Sequence, residues 1–190
     1  MIRGKVDISI TNRDTSDNVT DIADGQVVTP VRNGASISEA KNITDLSPNI
    51  KVNNPGSIKD NDVVWVYDLS AEANHSVAFT VNGDPSYNSA TDDWTVTFDT
   101  PLVTEFTDTT AVGDRLILDY ASANRITPYI SEVGTTEAGA SQQVTADSDG
   151  RVQFYCDEPT IDIWLSTSSP VRTIVGVLTL ATTDSSERFS

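Results

Sequence analysis

Apolar side chains along this chain recur at alternate positions, the spacing of half-buried strands, and nowhere hold a sustained helical period. Val6, Ile8 and Ile10 alternate with Asp7 and Ser9, predicting a first strand with one apolar face. A polar loop follows over Thr11–Asn18, and Gln26–Val31 reads as a short extended run in which Pro30 implies a sheet edge or a strand end. Ser36-Ile-Ser-Glu39 has capping-box spacing and predicts a short helix through Lys41, stopped by Pro48. Asn53-Asn-Pro-Gly56 predicts a turn or linker, so residues 1–58 read as an irregular N-terminal arm suited to docking.

Strand signals strengthen over residues 59–125, which read as one β domain. Asp62-Val-Val-Trp-Val-Tyr67 is a near-continuous apolar run of strand length. Ser76–Val81 follows, and the turn at Asn82-Gly83 leads to Trp94-Thr-Val-Thr-Phe98, which alternates with Trp94, Val96 and Phe98 on one face. Arg115–Tyr120 closes the set. Residues 126–190 read as a C-terminal β module: Ile126–Ile130, a small-residue loop between Gly134 and Gly139, a hairpin over 144–156, and the strands 161–165 and 172–180. The apolar run in 172–180 predicts cover on both faces, and the tail 182–190 is polar. The fold class this predicts is all-β: one or two small antiparallel β-sandwich or barrel domains behind the irregular arm.

Composition agrees with a turn-rich β protein. Asp outnumbers Glu by 21 to 7, and Thr (24) and Ser (20) are abundant. Asp favours turns over helix interiors, and β-branched Thr suits exposed strand positions. The formal net charge is -16 with only 12 Lys and Arg scattered along the chain, which disfavours nucleic acid, whose phosphates demand a basic footprint. No apolar run has membrane-spanning length, and no secretory signal pattern opens the chain, so the expectation is a protein that does not engage a membrane. One cysteine, Cys156, offers no internal disulfide, and one histidine, His75, leaves no His-rich metal site. No Gly-x-Ser-x-Gly, phosphate-loop or His-Glu-x-x-His motif is present, so no catalytic or cofactor set is expected and the chain is read as non-enzymatic.

Three local features carry candidate chemistry. Asp147-Ser-Asp-Gly150 has the opening of a calcium loop but lacks the later Glu, and reads more simply as a hairpin turn, with no metal or cofactor expected. Asp92-Asp93 beside Trp94, with Asp84 and Tyr87 upstream, sets carboxylates near aromatics, a composition found in sugar sites and in glycosidase carboxylate pairs, though in a chain with 28 carboxylates such clusters arise by chance. On the strand 161–165, Ile161, Ile163 and Leu165 share one face, which places Trp164 with Asp162 and Ser166 on the other, as a candidate subunit or glycan contact.

The ordered series Val144-Thr-Ala-Asp-Ser-Asp-Gly-Arg-Val-Gln-Phe-Tyr-Cys156 and Asp157-Glu-Pro-Thr-Ile-Asp-Ile-Trp-Leu165 resembles the small β modules of tail-fibre, collar and appendage proteins of tailed bacteriophages. The likeness spans Thr127–Leu165, about a fifth of the chain, and departs from the usual pattern at Pro159, where Gly is frequent, and Ile161, where Tyr is frequent. It implies a virion structural protein, either a capsid decoration protein or a small fibre or collar component. Such a part acts as a homo-oligomer, a trimer by the same likeness, with capsid or tail proteins as partners. The alternative reading is a carbohydrate-binding β-sandwich that offers Trp164, Trp94 or Tyr87 to a host glycan.

Overall fold

The computed structural model describes residues 3–13, 19–22, 25–44, 46–71, 73–99, 107–165 and 172–181. Loop residues 14–18, Ser166 and the tail 182–190 lie outside them. The strands in chain order are β1 (Gly4–Ser9), β2 (Thr11–Arg13), β3 (Val19–Ile22), β4 (Val27–Arg32), β5 (Ala35–Ser36), β6 (Lys41–Thr44), β7 (Asn49–Val52), β8 (Val63–Asp68) and β9 (Ala73–Thr80). They continue with β10 (Ser86–Asn88), β11 (Asp93–Thr97), β12 (Thr107–Thr110), β13 (Arg115–Leu118), β14 (Val144–Thr145), β15 (Arg151–Cys156), β16 (Thr160–Leu165), β17 (Arg172–Leu178) and β18 (Leu180–Ala181). Every strand pairing is antiparallel and no α-helix occurs among the described residues, so the protein is all-β, built from small sandwich-like units.

Two lobes follow from which residues share a core. In the first, the sheet β5-β13-β8-β9 faces β10-β11-β7, and Val64, Val66, Leu116 and Leu118 meet Ile50, Val52 and Val96 in one buried cluster. In the second, the sheet β14-β4-β16-β17 faces β15-β1-β18, and Val28, Ile161 and Ile163 meet Val6, Val152 and Phe154. Successive strand residues point to opposite faces, so the sheets around β8/β13 and β4/β16 each have a second face to cover. They cover it with one another: Tyr67 and Ile117 of the first lobe pack with Val31 and Trp164 of the second, with Trp65 against them.

That arrangement corrects the division read from the sequence. Among the described residues of the N-terminal 58, β1, β4, β5, β6 and β7 are not parts of an irregular arm, because they sit inside the two cores. β1 runs beside β15 in an unbroken six-residue register, Gly4 opposite Cys156 to Ser9 opposite Arg151, and β4 lies along β16. Ile37, Ile43, Ile50 and Val52 are fully buried with β8 and β13, so Asn53–Gly56 is a turn inside the first lobe, with Gly56 at φ +60, and no boundary. The short helix over 36–41 is absent. Ile37 bridges Val52 and accepts from Gly113, while the Glu39 carboxylate accepts the Lys51 N–H at 2.9 Å, so strand pairing outcompetes the capping box.

Pro30 stands at a local edge, as its place in the run predicts: β16 lies on one side of it, and β14 has already ended on the other. β14 pairs only with Val27 and Val28, so beyond them no strand partner calls for the N–H that proline lacks. The final long strand, β17, is an edge of its sheet, with Leu178 69% exposed and Gly176 at φ +63, while Ile174 and Val177 pack partly buried against the second core. Ile163 is fully buried in the second core, whereas Leu46 is 94% exposed. In urea unfolding, Ile163→Ala is expected to cost about 2 to 5 kcal/mol, and Leu46→Ala to stay within about 0.5 kcal/mol of wild type.

Candidate functional site

The four residues singled out from the sequence separate into two places. Trp164 and Asp162 are not on a solvent face. Trp164 is 3% exposed, donates its indole N–H to the Leu118 carbonyl at 2.8 Å, and meets Trp65 and Tyr120 edge-on at 6.3 and 5.4 Å. Asp162 is fully buried beside it, its carboxylate accepting the Gly34 N–H at 2.9 Å and the Gly176 N–H at 2.7 Å, with the Arg115 guanidinium at 3.5 Å. The face they occupy is polar by composition yet serves as the junction between lobes, which strand alternation alone does not reveal.

Tyr87 and Trp94 are brought together. They are direct cross-strand partners on the β10–β11 hairpin, ring centroids 5.1 Å apart and tilted by 45°. Trp94 is half-buried against the first core, and Tyr87 is 51% exposed. The Tyr87 hydroxyl donates to Asp92 at 2.8 Å, and that bond raises the phenol pKa by favouring its protonated form. Asp92 holds φ +53, a left-handed conformation uncommon outside glycine, at the turn joining the strands. Asp93 is paired with the Lys51 ammonium at 2.7 Å; this bond, with help from Thr91, lowers its pKa, and the Lys51 pKa rises in turn. Asp93 is therefore held ionised and does not serve as a proton donor. The result is an exposed aromatic surface bordered by a carboxylate and an ion pair, able to stack and hydrogen-bond a planar or ring-shaped polar ligand.

The calcium-loop residues are engaged locally. Asp147 accepts the N–H groups of Asp149 and Arg151 at 3.0 and 2.9 Å, its carbonyl accepts from Gly150 at 2.9 Å, and Gly150 takes φ +69. These are the bonds of a hairpin turn. Cys156 is buried, and desolvation pushes its thiol up to about 11, leaving it the protonated, unreactive form at neutral pH.

One feature escaped the sequence reading: the outer face of the β1/β15 pair. The register places Lys5 opposite Tyr155, Asp7 opposite Gln153 and Ser9 opposite Arg151. Lys5, Arg151, Gln153 and Tyr155, with Ile130, Val144 and Asp147, border an open groove of about 440 Å³. Asp7 accepts from Arg151 at 2.8 and 2.7 Å, from Lys5 at 3.0 Å and from Gln153 at 2.7 Å. The period-two pattern of both segments held this signal, but only their pairing shows that the charges meet.

Arg151, then Lys5 and Gln153, hold the Asp7 carboxyl well below the usual carboxylate range. A carboxyl lowered in the folded state contributes stability above its unfolded pKa of about 3.9 and loses that contribution as pH falls. Asp7→Asn is accordingly expected to lower Tm at pH 7, with the gap to wild type narrowing in thermal scans below about pH 4. Comparison of the chain with known protein families, curated proteins and solved structures gave no match.

Proposed function

We propose that this chain is a non-enzymatic structural protein of a tailed-phage particle, a capsid decoration protein or a small fibre or collar component, acting as a homo-oligomer docked on other virion proteins. The observation that supports this reading is what the 144–165 segment does in the fold. Its turn bonds are spent on its own backbone, and its apolar positions Val152, Phe154, Ile161 and Ile163 fill the second core. Its two long strands also receive β1 and β4 from the other end of the chain. The segment that resembles phage appendage modules is thus the structural hub of its lobe, as a scaffold element should be.

An acidic surface suits a part displayed on a particle, since like charge keeps exposed copies from associating non-specifically. Mass spectrometry of purified particles from the source of this gene is expected to find the chain at a fixed, stoichiometric ratio to the capsid or tail proteins. Particles that lack it would refute the reading.

A second reading, a module binding host glycan, is favoured by one observation: the exposed Tyr87 ring stacked on Trp94 beside Asp92. Since Trp164 and Asp162 are buried, this hairpin carries that reading alone among the residues first considered. On a glycan array, binding by wild type that drops at least about tenfold, or about 1.4 kcal/mol, in Tyr87→Ala would establish it. A blank array for wild type would eliminate it.

A further inference from the structure

We propose that the Asp162 carboxylate is a proton-operated latch between the two lobes, and that the Gly34 N–H bond is the contact that opens. Asp162 lies on β16, the strand whose other face builds the second core, yet its oxygens reach three separate elements. Oδ2 accepts from Gly34, which lies on the two-residue link between β4 of the second lobe and β5 of the first. Oδ1 accepts from Gly176 on β17 and faces Arg115 on β13 of the first lobe. One buried group therefore ties the connecting segment, the edge strand and the opposite sheet.

The charged neighbours are few. From β13, Arg115 faces the carboxylate and also donates to the Asn33 side chain at 2.9 Å. From β4, Arg32 is committed elsewhere, to Asp62 and Asn124, both at 2.7 Å. The link contributes the neutral Asn33 and the Gly34 backbone, and β17 contributes the Gly176 backbone. Arg115 is thus the cation set against Asp162 among the described residues.

Burial outweighs that cation and raises the Asp162 pKa above its ordinary value, Arg115 and the two N–H donors opposing the rise. A carboxyl raised in the folded state has the opposite linkage from Asp7. The folded chain takes up this proton more readily than the unfolded chain does, so the uptake by itself favours the fold as pH falls. The consequence is a rearrangement within the fold and not unfolding.

The two oxygens are unequal. Oδ1 has a backbone donor and the guanidinium, whereas Oδ2 has Gly34 alone, so the proton settles on Oδ2. A hydroxyl oxygen is a weaker acceptor than a carboxylate oxygen, and the Gly34 N–H is released. Gly34 is tightly enclosed: a Cβ there would overlap the Leu116 carbonyl. Release of this anchor therefore frees the link from β16 while its contact with β13 stays, which loosens the junction while each lobe keeps its own core.

Amide NMR of the intact chain reads the latch directly. The Gly34 and Gly176 N–H resonances are expected to titrate together, with a midpoint above the ~3.9 of a free aspartate and below it no loss of the core amide signals. Asp162→Asn should abolish that titration. Arg115→Gln, which removes the opposing cation and keeps Asp162, should move the midpoint up by about one pH unit, and it covers the case in which Asp162→Asn does not fold. A Gly34 resonance that stays fixed between pH 7 and 3, a titration that survives in Asp162→Asn, or an unchanged midpoint in Arg115→Gln would each overturn the proposal.

Discussion

Strand β16 has no solvent face, and the rest of the molecule is arranged around that constraint. Its odd-numbered residues, Ile161, Ile163 and Leu165, complete one core, while Asp162 and Trp164 point into the junction with the other lobe. A buried strand is easy to build when both faces are apolar. Here one face carries a carboxylate and an indole N–H, and burial of either without a partner would cost more than a typical single interaction returns. Each therefore has its partners fixed by elements distant in sequence: Gly34, Gly176 and Arg115 for the carboxylate, Leu118 for the indole.

The same demand explains why the lobes are interlocked in sequence order. β4 must lie beside β16 to complete its ladder, and the chain then crosses through Gly34 into the first lobe, returning only after β13. The first lobe is thus an insertion between strands of the second. Polar bonds at the crossing, Arg32 to Asp62 and Asn124 and Arg115 to Asn33, set the orientation of the two sheets. Buried ion pairs add little net stability over an apolar replacement, so orientation is the stronger account of their use here. Many of the remaining carboxylates serve locally as turn bonds, as at Asp68, Asp119 and Asp147, which makes an Asp-rich composition part of the fold as well as of the surface.

Alternation and turn chemistry were legible in the sequence because they act over a few residues. The strands at Val6–Ile10 and Trp94–Phe98 follow from period two, that at Asp62–Tyr67 from a short continuous apolar run, and the Asp147–Gly150 turn from where Asp and Gly stand. The same local reasoning misplaced the capping box at Ser36–Glu39, since the Glu39 side chain and Ile37 backbone find better partners on Lys51, Val52 and Gly113. It also misplaced Trp164. A strand face with Asp and Trp reads as exposed until a second sheet is known to cover it, and no local rule announces that sheet.

What the sequence by itself determined is therefore the all-β class, several of the strands with their inward sets, and the Asp147–Gly150 turn, each dictated by the chirality and alternation of the local backbone. The tertiary structure alone decided which strands are neighbours, that β1 and β4 belong to one lobe and β5 to β7 to the other, that Asp162 and Trp164 form a junction, and that the Tyr87 ring lies against Trp94 across the hairpin. These outcomes depend on long-range pairing, in which β1 meets β15 across most of the chain. Local preference leaves such pairing open, and it is fixed only when every buried polar group and every apolar face has found its partner together.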